Sequence, residues 1–369
     1  MKNLLIGNGF DIQFGGSDYV NSNIIMRAIN NVDKGDFPCD IYPKETVDLL
    51  RHLYIIIPSI ISGEYDKFAV INYEKKSLIE FKKRYSNLRT LSLYEIGIED
   101  YFFIYELISR ENKISNPERF EIRQALRRMF VDAIYNKGKL NKLIKKFPHK
   151  LREFLLLYNN IFTTNYDNNV EKFLKKPVYY MHGAFHILDE IYNPNSFRNM
   201  LSDSSANNVT IPREFKHLYS NILMTYAGEL KDSAIKTNFQ ANSAIDKFVQ
   251  GMEEKPELIP QIEKWKDDDN SIVRNMYEAI SIRKNTNSKI AEYYPIVEFE
   301  SIAGTIDIIG LYPNNDSHIF NTIRDNVKVD TINFYFYDKS EISLAEDVLK
   351  DKVVIAHSVK ELWKSFGSR

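Results

Sequence analysis

MKNLLIGNGFDI, residues 1–12, opens the chain with a short apolar run that ends in Gly-Asn-Gly and an aspartate. A continuous apolar segment that stops at a glycine is typical of a strand buried on both faces of a parallel sheet. Gly7 and Gly9 fall where this strand turns into a helix, and without Cβ atoms they let the backbone approach a pyrophosphate closely. The stretch therefore predicts a buried first strand followed by a nucleotide-binding turn.

The same glycines have a simpler explanation, because a tight turn after a buried strand also favours glycine. The next glycines along the chain, Gly15 and Gly16, come too late to complete the G-x-G-x-x-G fingerprint of dinucleotide-binding proteins. An ordinary Rossmann dehydrogenase is therefore disfavoured, and nucleotide binding at this turn needs support from other parts of the chain.

Composition limits the classes of function. Of the 369 residues, 44% are hydrophobic and 27% are charged, which is ordinary for a folded globular protein. The 49 Lys and Arg residues nearly balance the 50 Asp and Glu residues, so direct binding of nucleic acid is not expected. The local basic stretch at 127–146 is more typical of a solvated helix face. Because the chain has a single cysteine, Cys39, and no compact histidine cluster in its sequence, we expect no bound metal.

The sequence has no evident targeting or membrane segment. Its N-terminus lacks the small-residue cleavage pattern of a secretory signal. The most apolar window, Leu53 to Ile61, contains Pro58 and is far shorter than the roughly 20 residues that a membrane span needs. We therefore expect a cytoplasmic protein that does not bind a membrane.

Strands and helices alternate in both the middle and the last third of the chain, which predicts an α/β fold with a doubly wound parallel sheet. The sheet domain is predicted to combine residues 1–19, 156–190 and 293–369. Two mostly helical insertions, at 20–155 and 191–292, interrupt it.

Polar residues follow three further predicted strands, in the stretches FTTNYD (162–167), YYMHGAF (179–185) and IIGLYPNND (308–316). Because ligands of doubly wound sheets bind beyond the carboxyl ends of the strands, we expect these residues to line one crevice. Each also has a structural explanation, since Thr, Asn and Asp cap helices and a lone histidine is more often structural than catalytic. The candidate residues are Thr164, Asn165, Asp167, His182, Gly310 and Asp316.

The order of the stretches GNGFDI, FTTNYD, HG and a late IIG followed by an aspartate resembles the sirtuin-like NAD-consuming proteins of bacterial antiphage defence, including the AbiH-type abortive-infection group. The resemblance covers the sheet-forming portions of the chain. In the helical insertions, Glu99 in IEDYFF resembles an acidic position of that group. The resemblance implies a sirtuin-like, Rossmann-like fold with NAD as the substrate.

The resemblance also implies roles for individual residues. Asn165 and His182 take the places of the catalytic asparagine and histidine, and Asp167 that of the aspartate that holds the nicotinamide amide. Thr164 stands where sirtuin deacetylases have glutamine, which argues against deacetylation and for water as the acceptor. The turn formed by Gly7, Asn8, Gly9, Phe10 and Asp11 would hold the diphosphate, and the loop from Gly310 to Asp316 would hold adenosine.

The function implied is an NAD glycohydrolase that cleaves NAD to ADP-ribose and nicotinamide as an abortive-infection effector. The alternative is a non-catalytic NAD or ADP-ribose sensor, or a regulatory subunit of a defence complex. Because uncontrolled loss of NAD would be toxic, we expect regulation by homo-oligomer assembly or by a HerA-like ATPase partner.

Overall fold

The computed structural model describes residues 1–86, 92–188, 211–285 and 294–367, and a six-stranded sheet lies at its centre. Every neighbouring pair of strands is parallel, in the order β3-β2-β1-β4-β5-β6. This is the strand order of the Rossmann fold, so the predicted α/β fold with a parallel sheet is confirmed. The strands are β1 (Lys2–Ile6), β2 (Asn160–Thr163), β3 (Tyr179–Tyr180), β4 (Gly304–Ile309), β5 (Val329–Phe336) and β6 (Val353–Ser358).

Strand β1 is buried on both faces, as its sequence predicts. It pairs with β2 on one side and β4 on the other, and its side chains alternate between two hydrophobic layers. Leu4 and Ile6 pack in one layer with Trp363, and Leu5 packs in the other with Phe320. Each of the three β1 side chains is fully buried, which stabilises the fold by about 1.5–3 kcal/mol per side chain.

Helices cover both faces of the sheet and fill the long connection between β1 and β2. None of the described helices is both long and apolar enough to cross a membrane. The helices are α1 (Asn8–Gly15), α2 (Asn21–Asp33), α3 (Glu45–Ile55), α4 (Ile57–Ser62), α5 (Asn72–Tyr85), α6 (Ile98–Glu111), α7 (Glu118–Tyr135), α8 (His149–Leu155), α9 (Asn169–Leu174), α10 (Gly228–Glu254), α11 (Ile259–Glu263), α12 (Ser271–Asn285), α13 (Ile296–Glu300), α14 (Ser317–Asp325), α15 (Ser340–Val348) and α16 (Val359–Ser365).

The helices between β1 and β2 have a hydrophobic core of their own. This core runs from Tyr19 to Leu143 and also takes in apolar residues of the segment 211–230. Helix α8 instead packs on the sheet through Leu151 and Leu155. Helices α10 to α12 enclose a separate small cluster. The domain boundaries proposed from the sequence stay predictions, and residues 191–210 and 286–292 of the second insertion lie outside the described residues.

The turn after β1 and the end of β4 approach each other through glycines. The Gly9 N–H donates to the Gly310 carbonyl oxygen at 2.9 Å. Gly310 has a φ of +74°, and a Cβ there would lie 2.7 Å from the Phe10 nitrogen. The two backbones lie too close together to leave room for a side chain at Gly9 or Gly310. Glycine at both positions therefore allows the ends of the two neighbouring strands to come together.

Replacing Gly310 with Ala should therefore destabilise the fold through both backbone strain and a clash with Phe10. Gly16→Ala is the matched control, because Gly16 has a φ of +71° but a Cβ there would meet no atom within 4 Å. Strain alone costs about 1–3 kcal/mol, so Gly310→Ala should lower the free energy of unfolding by clearly more than Gly16→Ala. Urea denaturation measures both, and equal losses would contradict the close-approach explanation.

Candidate functional site

A cavity of about 350 Å³ opens beside the carboxyl ends of β1, β2 and β3. The connections reverse direction between β1 and β4, and such switch points leave a crevice in which doubly wound sheets bind ligands. Residues of α2, α5 and α6 close the cavity from the other side. Seven residues singled out in the sequence lie on its wall: Asn8, Asp11, Glu99, Thr164, Asn165, His182 and Asp316.

The other candidates are not among the described wall residues. Phe10 is buried in an aromatic cluster, with its ring centroid 5.1 Å from that of Phe14 and 5.7 Å from that of Trp363. The Gly9 N–H is already bonded to the Gly310 carbonyl and is not free for a diphosphate. Gly7 packs against the same strand end, and its N–H donates to a β4 carbonyl. These four residues have structural roles at the strand ends, and their assignment to cofactor binding stays a prediction.

Asp11, Asp167 and Asn165 form a hydrogen-bonded network beside the cavity. Burial raises the pKa of Asp11 well above its ordinary value, and the adjacent Asp167 carboxylate raises it further. Asp11 therefore keeps a proton and donates it to Asp167, which also accepts the Asn169 backbone N–H at 2.7 Å. The Asn165 amide donates to Asp11. One shared proton thus fixes two carboxyl groups and orients Asn165.

His182 meets a second histidine that the sequence analysis did not single out. The Nε2 atoms of His182 and His318 lie 3.2 Å apart, although the residues are 136 positions apart in the chain. Burial lowers the pKa of both imidazoles, that of His318 to about 3, and the Lys231 charge adds to this effect. Both rings are therefore neutral at pH 7.

Asp316 lies beside the two histidines. One potential ligand atom from each of His182, Asp316 and His318 lies within 4.8 Å of the others. No local pattern in the sequence indicates a compact histidine cluster, because only the fold brings the start of α14 to the end of β3. The expectation of no bound metal is based partly on the absence of a compact histidine cluster from the sequence, and the fold provides such a cluster. The expectation itself stays a prediction.

Glu99 of α6 reaches the cavity wall and pairs with Lys231 of α10. The Lys231 side chain is only 1% exposed, whereas a quarter of the Glu99 side chain remains exposed. Burial raises the pKa of Glu99 to about 7, against the opposing effect of the Lys231 ammonium. Lys231 was missed in the sequence, since nothing in its local pattern separates it from the many surface lysines.

The cavity wall is rich in acid. Its described residues include five with carboxyl groups and one with a guanidinium group, that of Arg84, which is paired with Asp100. The acidic wall residues are Asp11, Glu95, Glu99, Asp100 and Asp316. Asp11 keeps its proton, and Glu99 and Asp100 have cationic partners, so the acidic groups on the described wall that are left to favour a positively charged ligand are Glu95 and Asp316.

Comparisons with models of protein families, with curated proteins and with solved structures found no significant match to this chain. The features of the structure that bear on function are those of the cavity: its position at the switch point of the sheet, and the Asn165, His182 and Asp316 side chains on its wall.

Asp11→Asn should change how stability depends on pH. The folded-state pKa of Asp11 is raised, so folding takes up a proton once the pH exceeds the unfolded-state pKa of about 4. The wild type should then lose stability relative to Asp11→Asn as the pH rises from about 4, by at most about 1.4 kcal/mol per pH unit. Chemical denaturation at several pH values measures this difference. The exposed Asp330→Asn is the control, and parallel wild-type and Asp11→Asn curves would contradict the shared proton.

The Glu99–Lys231 pair can be tested by a double-mutant cycle. Glu99→Gln leaves the buried Lys231 ammonium without its partner, which should cost about 3–5 kcal/mol in the free energy of unfolding. Adding Lys231→Met removes that unpaired charge, so the double variant should recover part of the loss. The exposed Lys76–Glu229 pair, treated in the same way, should show little coupling. Additive losses at Glu99 and Lys231 would show that the pair is not coupled.

Proposed function

We propose that this chain is an NAD glycohydrolase, which uses water to cleave the bond between nicotinamide and ribose and releases nicotinamide and ADP-ribose. The observation that carries the proposal is that Asn165 and His182 lie on the wall of the same cavity, at the switch point where sheets of this strand order bind dinucleotides. The sirtuin-like order of the motifs supports it independently of the geometry.

The charge of the cavity supports the nicotinamide end of NAD as the part that enters. The pyridinium ring of NAD is positive, and when the glycosidic bond breaks this charge moves to the ribose while nicotinamide leaves neutral. The Asp316 carboxyl group, which forms no ion pair with any described residue, stabilises positive charge in both states, and the low dielectric of a partly buried site strengthens the effect. The anionic diphosphate then lies towards the mouth, away from Asp316.

Asn165 has the role of orienting the ribose or the attacking water. Its amide nitrogen donates to Asp11, which fixes the plane of the side chain, and its backbone N–H donates to Thr163 Oγ1 at 3.0 Å. The amide oxygen can then accept a hydrogen bond from a ribose hydroxyl or from water. Because the amide is neutral, it orients these groups without adding a charge.

His182 has the role of general base. Its lowered pKa keeps the imidazole neutral, so a ring lone pair is available for the proton that the attacking water loses as its oxygen bonds to the ribose. The electron pair of the breaking bond leaves with nicotinamide. His318, at 3.2 Å from His182, holds the ring in place.

One observation favours the alternative of a non-catalytic NAD or ADP-ribose sensor. The burial that keeps His182 neutral also opposes its protonation, and a sensor needs no proton transfer. The same experiment separates the two functions. The defence role, homo-oligomer assembly, a HerA-like ATPase partner and a cytoplasmic location stay predictions from the sequence.

Asn165→Ala and His182→Ala should each lower nicotinamide release from NAD by about 10²- to 10⁴-fold, the usual contribution of an acid–base or orienting group. The double variant should be little worse, because residues that act as a unit lose rate non-additively. NAD binding, measured by calorimetry, should fall less than turnover. His186→Ala is the matched control, since His186 is exposed and outside the described cavity wall.

One outcome would contradict the assignment of the catalytic residues, and another would contradict the enzyme itself. If both variants release nicotinamide at the wild-type rate, Asn165 and His182 are only turn and capping residues. If the folded wild type binds NAD without releasing nicotinamide, alone or as an assembled oligomer, the sensor is the better proposal.

A further inference from the structure

We infer that His182, Asp316 and His318 form a binding site for a divalent first-row transition-metal ion, and that an ion bound there inhibits the proposed hydrolysis. The inhibition rests on the proposed function, whereas the binding does not. The observation that carries the inference is the cluster itself, in which one potential ligand atom from each side chain lies within 4.8 Å of the other two.

The two imidazoles already have the separation that one shared ion requires. Their Nε2 atoms lie 3.2 Å apart. Zinc binds an imidazole nitrogen at about 2.0–2.1 Å, so two such nitrogens at a tetrahedral angle are about 3.3 Å apart. Without an ion, these nitrogens share a hydrogen bond that coordination would replace. The Nδ1 atom of His318 has no hydrogen-bond partner in the described chain, so the protein holds that ring at one nitrogen only.

Asp316 can supply the third ligand. It is the N-cap residue of α14, yet its side chain accepts no capping hydrogen bond from the helix. A rotation of its carboxylate towards the two rings therefore breaks no cap. Asp316 and His182 both lie on the cavity wall, which gives an ion a path from solvent and leaves a further coordination position open to water.

The charges around the cluster do not exclude a cation. Two ammonium groups act on it, those of Lys231 and Lys236. Lys231 is paired with Glu99, and Lys236 is paired with Asp232 at 2.8 Å. Asp316, by contrast, forms no ion pair with any described residue, and a divalent cation would neutralise its charge.

The donor set indicates the class of ion. Two imidazoles with one carboxylate suit zinc, cobalt, nickel or ferrous iron, whereas magnesium and calcium prefer ligand sets made of oxygen. Coordination would occupy the Nε2 lone pair of His182 and leave the proton of the neutral ring on Nδ1, so no ring lone pair would remain to accept a proton from water. The ion would also offset the negative charge at Asp316 that favours a cationic substrate.

The binding is tested with tag-free, chelator-treated full-length protein titrated with Co²⁺, whose visible absorption reports coordination by nitrogen. We expect one ion per chain, an absorption band of low-coordinate cobalt, and loss of that band when Zn²⁺ displaces it. Asp316→Asn and His318→Gln should each lose the band, while His186→Ala should keep it. Circular dichroism melting identifies any variant that fails to fold, and Zn²⁺ displacement in the wild type then remains the test. An absent band in the wild type, or an equal band in folded His318→Gln, overturns the site.

The inhibition is tested by nicotinamide release from the same wild-type protein. Activity should persist in chelator and fall on addition of Zn²⁺, with a midpoint equal to that of Zn²⁺ binding. Binding without inhibition overturns the inhibitory role. If the protein binds the metal but never hydrolyses NAD, the proposed function is refuted and the metal site is supported. If the protein hydrolyses NAD but binds no metal, the metal site is refuted and the proposed function is supported.

Discussion

The position of β1 between β2 and β4 is the constraint on which the rest of the structure depends. Because β1 has a parallel neighbour on each side and a hydrophobic layer on each face, it has one possible depth and register in the sheet. The connections leave this strand pair in opposite directions, so the sheet cannot close over the carboxyl end of β1. The cavity follows from that topology rather than from any particular polar residue.

A glycine of the opening stretch and a glycine at the end of β4 allow β1 and β4 to pack as neighbours. Gly9 and Gly310 let the turn after β1 and the end of β4 pack with their backbones in contact. The close approach alone therefore explains Gly9, while diphosphate binding by the GNGFDI turn and adenosine binding by the loop from Gly310 to Asp316 stay predictions. Asn8 and Asp11, which follow the same strand, do face the cavity. One short motif thus has structural residues and site residues side by side.

The sequence predicts the fold better than the site, for a physical reason. A short apolar run that ends in glycine indicates a buried strand, and the pattern is complete within a few residues. The strands of the parallel sheet can therefore be predicted from short stretches of sequence. Asn165 and His182 can be predicted from the sequence because each lies two residues after a strand, and parallel strands end at one edge. His318 and Lys231 lie within helices, where a polar residue usually faces solvent, and only the packing of α14 and α10 turns them inward. Nothing in their local sequence records that packing.

Two carboxyl groups show why the cavity, and not burial alone, indicates function. Asp307 lies in the central strand β4, and its oxygens accept the Tyr158 hydroxyl at 2.5 Å and the Asn333 amide at 2.6 Å, so its hydrogen bonds are complete within the protein. Asp316 has a pKa that burial raises, makes no capping bond and faces the cavity. A polar group whose partners are supplied by the fold stabilises that fold. Asp316 is half-buried and has no capping bond and no ion pair among the described residues, so it is open to a ligand, a proton or an ion, as a binding site requires.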